Sequence, residues 1–123
     1  MTEKLVYYID EFTCFQDWVL IRGWAFCRGL YIVEQGYILS NGTRMVFRRQ
    51  GIRSEDVESV YGKIASHARF RFFFPADTLQ REEILSIQLF FSMSDGSEIR
   101  LTDLWMEGVK RGGDRQTLHE RLR

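Results

Sequence analysis

Leu85-Ser86-Ile87-Gln88-Leu89-Phe90-Phe91-Ser92-Met93-Ser94-Asp95-Gly96-Ser97-Glu98-Ile99-Arg100-Leu101 is the stretch whose reading decides the fold class. Leu85, Ile87, Leu89 and Phe91 alternate with Ser86, Gln88, Phe90 and Ser92. That period of two suits a strand and not a helix. Ser94-Asp95-Gly96-Ser97 interrupts the run, and a second one follows from Glu98 to Leu104. Two such runs around turn-forming residues predict an antiparallel hairpin.

Working upstream, the pattern repeats. Phe70, Phe72 and Phe74 share a face opposite Arg69, Arg71 and Phe73, and Pro75 stops the run. Asn41-Gly42 sits between Tyr31–Leu39 and Thr43–Phe47. Asn-Gly tolerates positive φ at both centres of a type I′ turn, so a second hairpin is expected there. Leu5–Ile9 and Trp18–Phe26 complete a series of seven or eight runs. Spacing of about ten residues points to an all-β protein, an antiparallel two-sheet sandwich of jelly-roll or immunoglobulin-like type. Ser54 to Tyr61, with Ser54 as N-cap and Glu55 and Asp56 in the first turn, predicts one short helical connection. Asp77 to Glu83 is expected to form another short turn. The sandwich is assigned to residues 1–106. Residues 107–123, Gly-broken and charged, read as a tail or linker.

A chain of 123 residues supports one core. Ten Phe, five Tyr and three Trp exceed what a lean core needs, and such rings favour a pleated surface. Seventeen basic residues balance seventeen acidic ones. Without a dominant basic patch, nucleic acid is not an expected partner. Arg44, Arg48, Arg49 and Arg53, followed by Glu55, Asp56 and Glu58, read as a solvated hairpin edge. No apolar run approaches the roughly 18 residues a membrane span needs. Met1-Thr2-Glu3-Lys4 leads directly into Leu5–Ile9, which is not a signal-peptide pattern, so a cytoplasmic location is expected. Cys14 and Cys27 form no CxxC, so buried thiols are expected rather than a disulfide or metal site.

Catalytic patterns are missing. His67 and His119 lack the context of a nucleophile and base, and neither cysteine has a neighbour that would activate it. Glu55, Asp56 and Glu58 read as helix-turn carboxylates rather than a hydrolytic pair. There is no phosphate-binding glycine loop, so no cofactor is expected. Ser66 to Phe72 resembles an RNA-binding strand only loosely, and Asn41-Gly42-Thr43 reads as a turn rather than a glycosylation site. One constellation remains. Trp18, Leu20, Arg22, Trp24 and Phe26 alternate with Val19, Ile21, Gly23, Ala25 and Cys27, and both faces are largely apolar. If the smaller set is inward, Trp18, Arg22 and Trp24 form an exposed strip suited to sugars. If Trp24 is inward, it anchors the core and Arg22 marks a bulge near Gly23.

Gly23-Trp24-Ala25-Phe26, Arg53-x-x-Asp56-Val57 with Tyr61 four places on, Phe70-x-Phe72 and the Asp95-Gly96 turn together resemble the small β-sandwich accessory domains joined to bacterial surface-polysaccharide glycosyltransferases. The resemblance covers residues 5–104 and departs at Arg69, where a glycine is expected. It implies a non-catalytic, carbohydrate-associated module that binds a glycan or positions a glycosyltransferase domain. Arg53 and Asp56 match the motif and are expected to act structurally, as a charged pair pinning the connection to the sheet edge. The alternative is a protein-interaction or assembly domain, with a homodimer among its forms, motivated by outward-facing Phe73 and Phe90.

Overall fold

The computed structural model describes residues 5–15, 18–39, 42–75 and 87–101. Its strands are β1 (Leu5–Phe15), β2 (Trp18–Cys27), β3 (Ile32–Ile38), β4 (Arg44–Arg48), β5 (Arg69–Pro75), β6 (Gln88–Met93) and β7 (Glu98–Leu101). One helix, α1 (Glu55–Tyr61), and a 3-10 turn (Lys63–Ala65) connect β4 to β5. The strands form two sheets, ordered β1-β2-β5 and β4-β3-β6-β7, with every pair antiparallel. The two-sheet sandwich is therefore present, with the immunoglobulin-like division of first, second and fifth strands from third, sixth and seventh. Here β4 pairs with β3 instead of β5. Asp77 to Glu83, Trp105, His119 and the 106/107 boundary lie outside the described residues.

The core lies between the sheets. Val19, Ile21, Ala25 and Cys27 of β2 face it, as do Phe70, Phe72 and Phe74 of β5, Tyr37 of β3, and Leu89, Phe91 and Met93 of β6. The smaller set of β2 is thus inward, because the rings that fill the gap arrive from other strands. Tyr37 stacks on Phe74 with centroids 4.1 Å apart and meets Phe72 edge-on at 5.8 Å. Such ring pairs add directional contacts to the area they bury.

β1 runs six residues past the expected Ile9, and a bulge explains why. Ile9 pairs with Gly23 and Glu11 with Arg22, so Asp10 is the extra residue. The bulge restores the phase: Leu5, Tyr7, Ile9 and then Phe12 pack on the core, and both acids stay outside. The bulge therefore lies opposite Gly23, on the partner strand and not on β2. A Cβ at Gly23 would stand 2.3 Å from the Tyr8 carbonyl oxygen, so only glycine lets the strands approach there.

On the outer face of the four-stranded sheet, Phe90 pairs with Gly36 and is fully buried. Its ring lies against Gly36, where an added Cβ would come within 2.6 Å of the ring. Arg44 caps the ring with its guanidinium 3.8 Å from the centroid and pairs with Glu98. Phe90 points outward as expected but is covered, so it belongs to no exposed patch.

The expected solvated arginine edge also divides. Arg48 is exposed. Arg49 turns inward and donates to Gln35 Oε1 at 2.7 Å and to the carbonyl oxygens of Ala25 and Ala68, each at 2.9 Å. It ties β3 of one sheet to β2 and the start of β5 in the other. Arg53 and Asp56 take separate partners rather than each other. Arg53 pairs with Glu58 at 2.6 Å and donates to the Ser66 carbonyl at 2.9 Å, and Asp56 pairs with Arg69. Each still fastens the connection. Ser54 occupies the N-cap position without capping: its buried hydroxyl donates to the Ala65 carbonyl and accepts from the Ala68 N–H.

Hydrogen bonds from Arg69 hold the Asp56 carboxyl below its ordinary range, and those from Arg44 and Arg100 do the same for Glu98. Both groups bind protons less readily folded than unfolded. Their stabilisation is present above about pH 4, where unfolded carboxyls are ionised, and is lost as pH falls through the depressed folded values. Glu98→Gln is expected to flatten the acid limb of a stability–pH profile from denaturant unfolding. An unchanged slope would remove Glu98 from that account.

Candidate functional site

The outer face of the three-stranded sheet is built by register. Trp18, Leu20, Arg22, Trp24 and Phe26 of β2 point outward, between Glu11, Thr13 and Tyr8 on β1 and Arg69, Arg71 and Phe73 on β5. Along this face three zones follow one another.

At one end, Trp18 and Phe73 stack with centroids 4.5 Å apart and planes 8° from parallel. They sit diagonally across the β2–β5 ladder and remain 38% and 36% exposed. Stacked together, the two rings leave a contiguous apolar patch partly open to water.

The middle is polar. Arg22 reaches Glu11 through Nε at 3.0 Å and Nη2 at 2.8 Å, and Thr13 Oγ1 donates to the other carboxylate oxygen at 2.8 Å. Arg71 stands directly opposite Arg22. Like charges facing across a ladder repel, and Glu11 offsets that by neutralising one of them.

At the far end, Trp24 lies within stacking distance of Tyr8 at 6.4 Å and Phe26 at 6.1 Å, and tilts on Tyr61 at 5.6 Å. With Val57, Ala65 and Ala68, the rings of Trp24, Phe26 and Tyr61 form a second, smaller core under α1, while Tyr8 stays exposed. The three residues of the expected strip thus share one face but divide in role. Trp18 and Arg22 stay accessible, while Trp24 is half-buried as the floor on which the helix sits.

The face continues over the β5 edge into a groove of about 300 Å3 between β5 and β4, lined by Arg71, Phe73, Phe47, Arg48, Gln50 and Ile52, among others. The residues that sequence reasoning did not place here are Phe73 as the stacking partner of Trp18, Arg71, and Glu11. The period-two pattern puts Phe73 and Arg71 on one face of β5. Their neighbours could not be read, because β5 joins β2 across two intervening strands.

His67 Nδ1 lies 3.0 Å from the hydroxyl of adjacent Ser66, on an exposed turn. Among the described residues, no group of three His, Cys, Asp or Glu side chains is arranged to hold a metal. No helix among them is long and apolar enough to cross a membrane. Cys27 is a free, buried thiol. Comparison with protein-family models, curated proteins and solved structures finds no match for this chain.

Proposed function

We propose that this β-sandwich is a non-catalytic glycan-binding module that takes sugar rings at the Trp18–Phe73 end of the three-stranded sheet. The observation that carries the reading is the accessible parallel ring pair, set beside Arg22 and Arg71 and opening into the β4–β5 groove. Sugars present apolar C–H faces ringed by hydroxyls. The rings would take the former, and the guanidiniums, with Gln50 in the groove, the latter. The sequence resemblance adds a role in polysaccharide assembly, in which the module holds a glycan for a glycosyltransferase domain or positions that domain.

The test is titration with acidic and neutral bacterial oligosaccharides, followed by tryptophan fluorescence. A saturable change is expected, because Trp18 borders the site. Phe73→Ala is expected to weaken binding about tenfold, equivalent to about 1.4 kcal/mol. Absence of any change at millimolar sugar would overturn the reading.

A second reading rests on β4, where Met45, Val46 and Phe47 are each at least 40% exposed on a sheet edge. Three consecutive exposed apolar residues suit a protein partner. Failure of every sugar would leave that reading standing.

A further inference from the structure

The β2–β3 turn and the 3-10 turn enclose a pocket of about 540 Å3, within the size range of small-molecule sites. It shares no lining residue with the β4–β5 groove, and of the outward set of β2 it includes only Phe26, at the end away from Trp18. Phe26, Leu30, Ile32 and Ile64 supply an apolar wall, and Arg49, Lys63 and His67 supply the basic groups. Among its described lining residues none is acidic, in a chain whose formal charge is zero.

Arg49 sharpens this asymmetry. Its hydrogen-bond acceptors, Gln35 Oε1 and the carbonyl oxygens of Ala25, Ala68 and His67, are all neutral. Burial draws its pKa down to about 10, and no carboxylate among the described residues forms an ion pair with it. Carbonyl oxygens satisfy N–H donors but do not cancel a charge, and a buried charge is ordinarily paired. Lys63 beside it is exposed and has no ion pair among the described residues. The pocket therefore has an apolar wall, a partly buried cation with no ion pair among the described residues, and a second, exposed cation.

We propose that this pocket binds a small organic carboxylate with an aliphatic body. The body lies against Phe26, Leu30, Ile32 and Ile64, and the carboxylate sits in the field of Arg49 and Lys63, serving as a counter-ion to Arg49. The low dielectric around Arg49 strengthens that attraction relative to an exposed pair. The site differs from the proposed glycan face in position and in ligand, so either can fail without the other.

The experiment titrates the whole chain with octanoate, with octanol as its neutral counterpart and with inorganic phosphate. The readout is the amide NMR shifts of Ile32 and Ala68. Octanoate is expected to saturate at millimolar concentration or below. Octanol should bind about tenfold more weakly, because it lacks the charge. Phosphate, which lacks the apolar body, should not saturate. Arg49 also braces the fold, so the variant of choice is exposed Lys63→Gln. It should weaken octanoate several-fold and leave octanol unchanged. Leu30→Trp, which fills the pocket, should abolish both. Absence of octanoate saturation would overturn the proposal. So would octanol binding as tightly as octanoate, phosphate matching octanoate, or octanoate affinity indifferent to both variants.

Discussion

Gly36→Ala is expected to destabilise the fold by about 3 kcal/mol, which for a domain of this size lowers the thermal midpoint by about 10 °C. The new Cβ would stand 1.9 Å from the Met45 carbonyl oxygen and 2.6 Å from the Phe90 ring. The first contact is with backbone of the paired strand β4 and cannot be relieved by a side-chain rotation. Relief requires β4 to move away from β3 and the Phe90 ring to shift as well. These shifts uncover buried surface, since Phe90 is fully buried where it lies. Gly42→Ala is the control. Nothing lies within 4 Å of its added Cβ, but its φ of 90° is left-handed. That substitution should cost only about 1 kcal/mol of backbone strain. Denaturant unfolding of the two variants tests the claim, and equal losses would show that crowding at Gly36 is not the cause.

Arg49→Met is expected to cost about 2 kcal/mol, the net of two opposed effects. Hydrogen bonds from a charged donor contribute roughly 1.5–3 kcal/mol each. Removing a partly buried charge that has no ion pair among the described residues returns part of that loss. Loss should win, because Gln35 is only 5% exposed and would keep an oxygen whose donor is gone, while the tie between the sheets is cut. Arg49→Lys separates geometry from charge. A single ammonium cannot span Gln35, Ala25 and Ala68 together, so most of the loss should remain although the charge is kept. Stability of Arg49→Met equal to that of the parent chain, by chemical unfolding, would refute the bracing role.

Much of the fold was readable locally. The hairpins at Asn41-Gly42 and Asp95-Gly96 announce themselves through turn chemistry, and the Phe70–Phe74 strand through strict alternation. β1 was readable only to Ile9, because Asp10-Glu11 breaks the alternation unless a bulge is inserted, and a bulge depends on the partner strand. The same limit hid Arg49. Four arginines within ten residues look alike in sequence, yet one lies over Phe90, one points to water, one braces two sheets and one fastens a helix. Distant acceptors decide among these fates. The Trp18–Phe73 pair illustrates the rule for the site: the face of Phe73 was readable, that of Trp18 was left open by two apolar faces on β2, and their meeting across the β2–β5 ladder was not readable.

The outermost strand of the larger sheet, Arg44-Met45-Val46-Phe47-Arg48, is nearly a palindrome in charge. Antiparallel docking of two copies about Val46 would set Arg44 of each against Arg48 of the other, at both ends of the seam. Like charges so placed repel across a ladder, and cationic edges are a common guard against strand-to-strand aggregation. A strand with an apolar centre flanked by carboxylates would meet the reverse situation. The edge thus carries its own guard against pairing with a second copy, strongest at exposed Arg48 because Arg44 is already paired with Glu98.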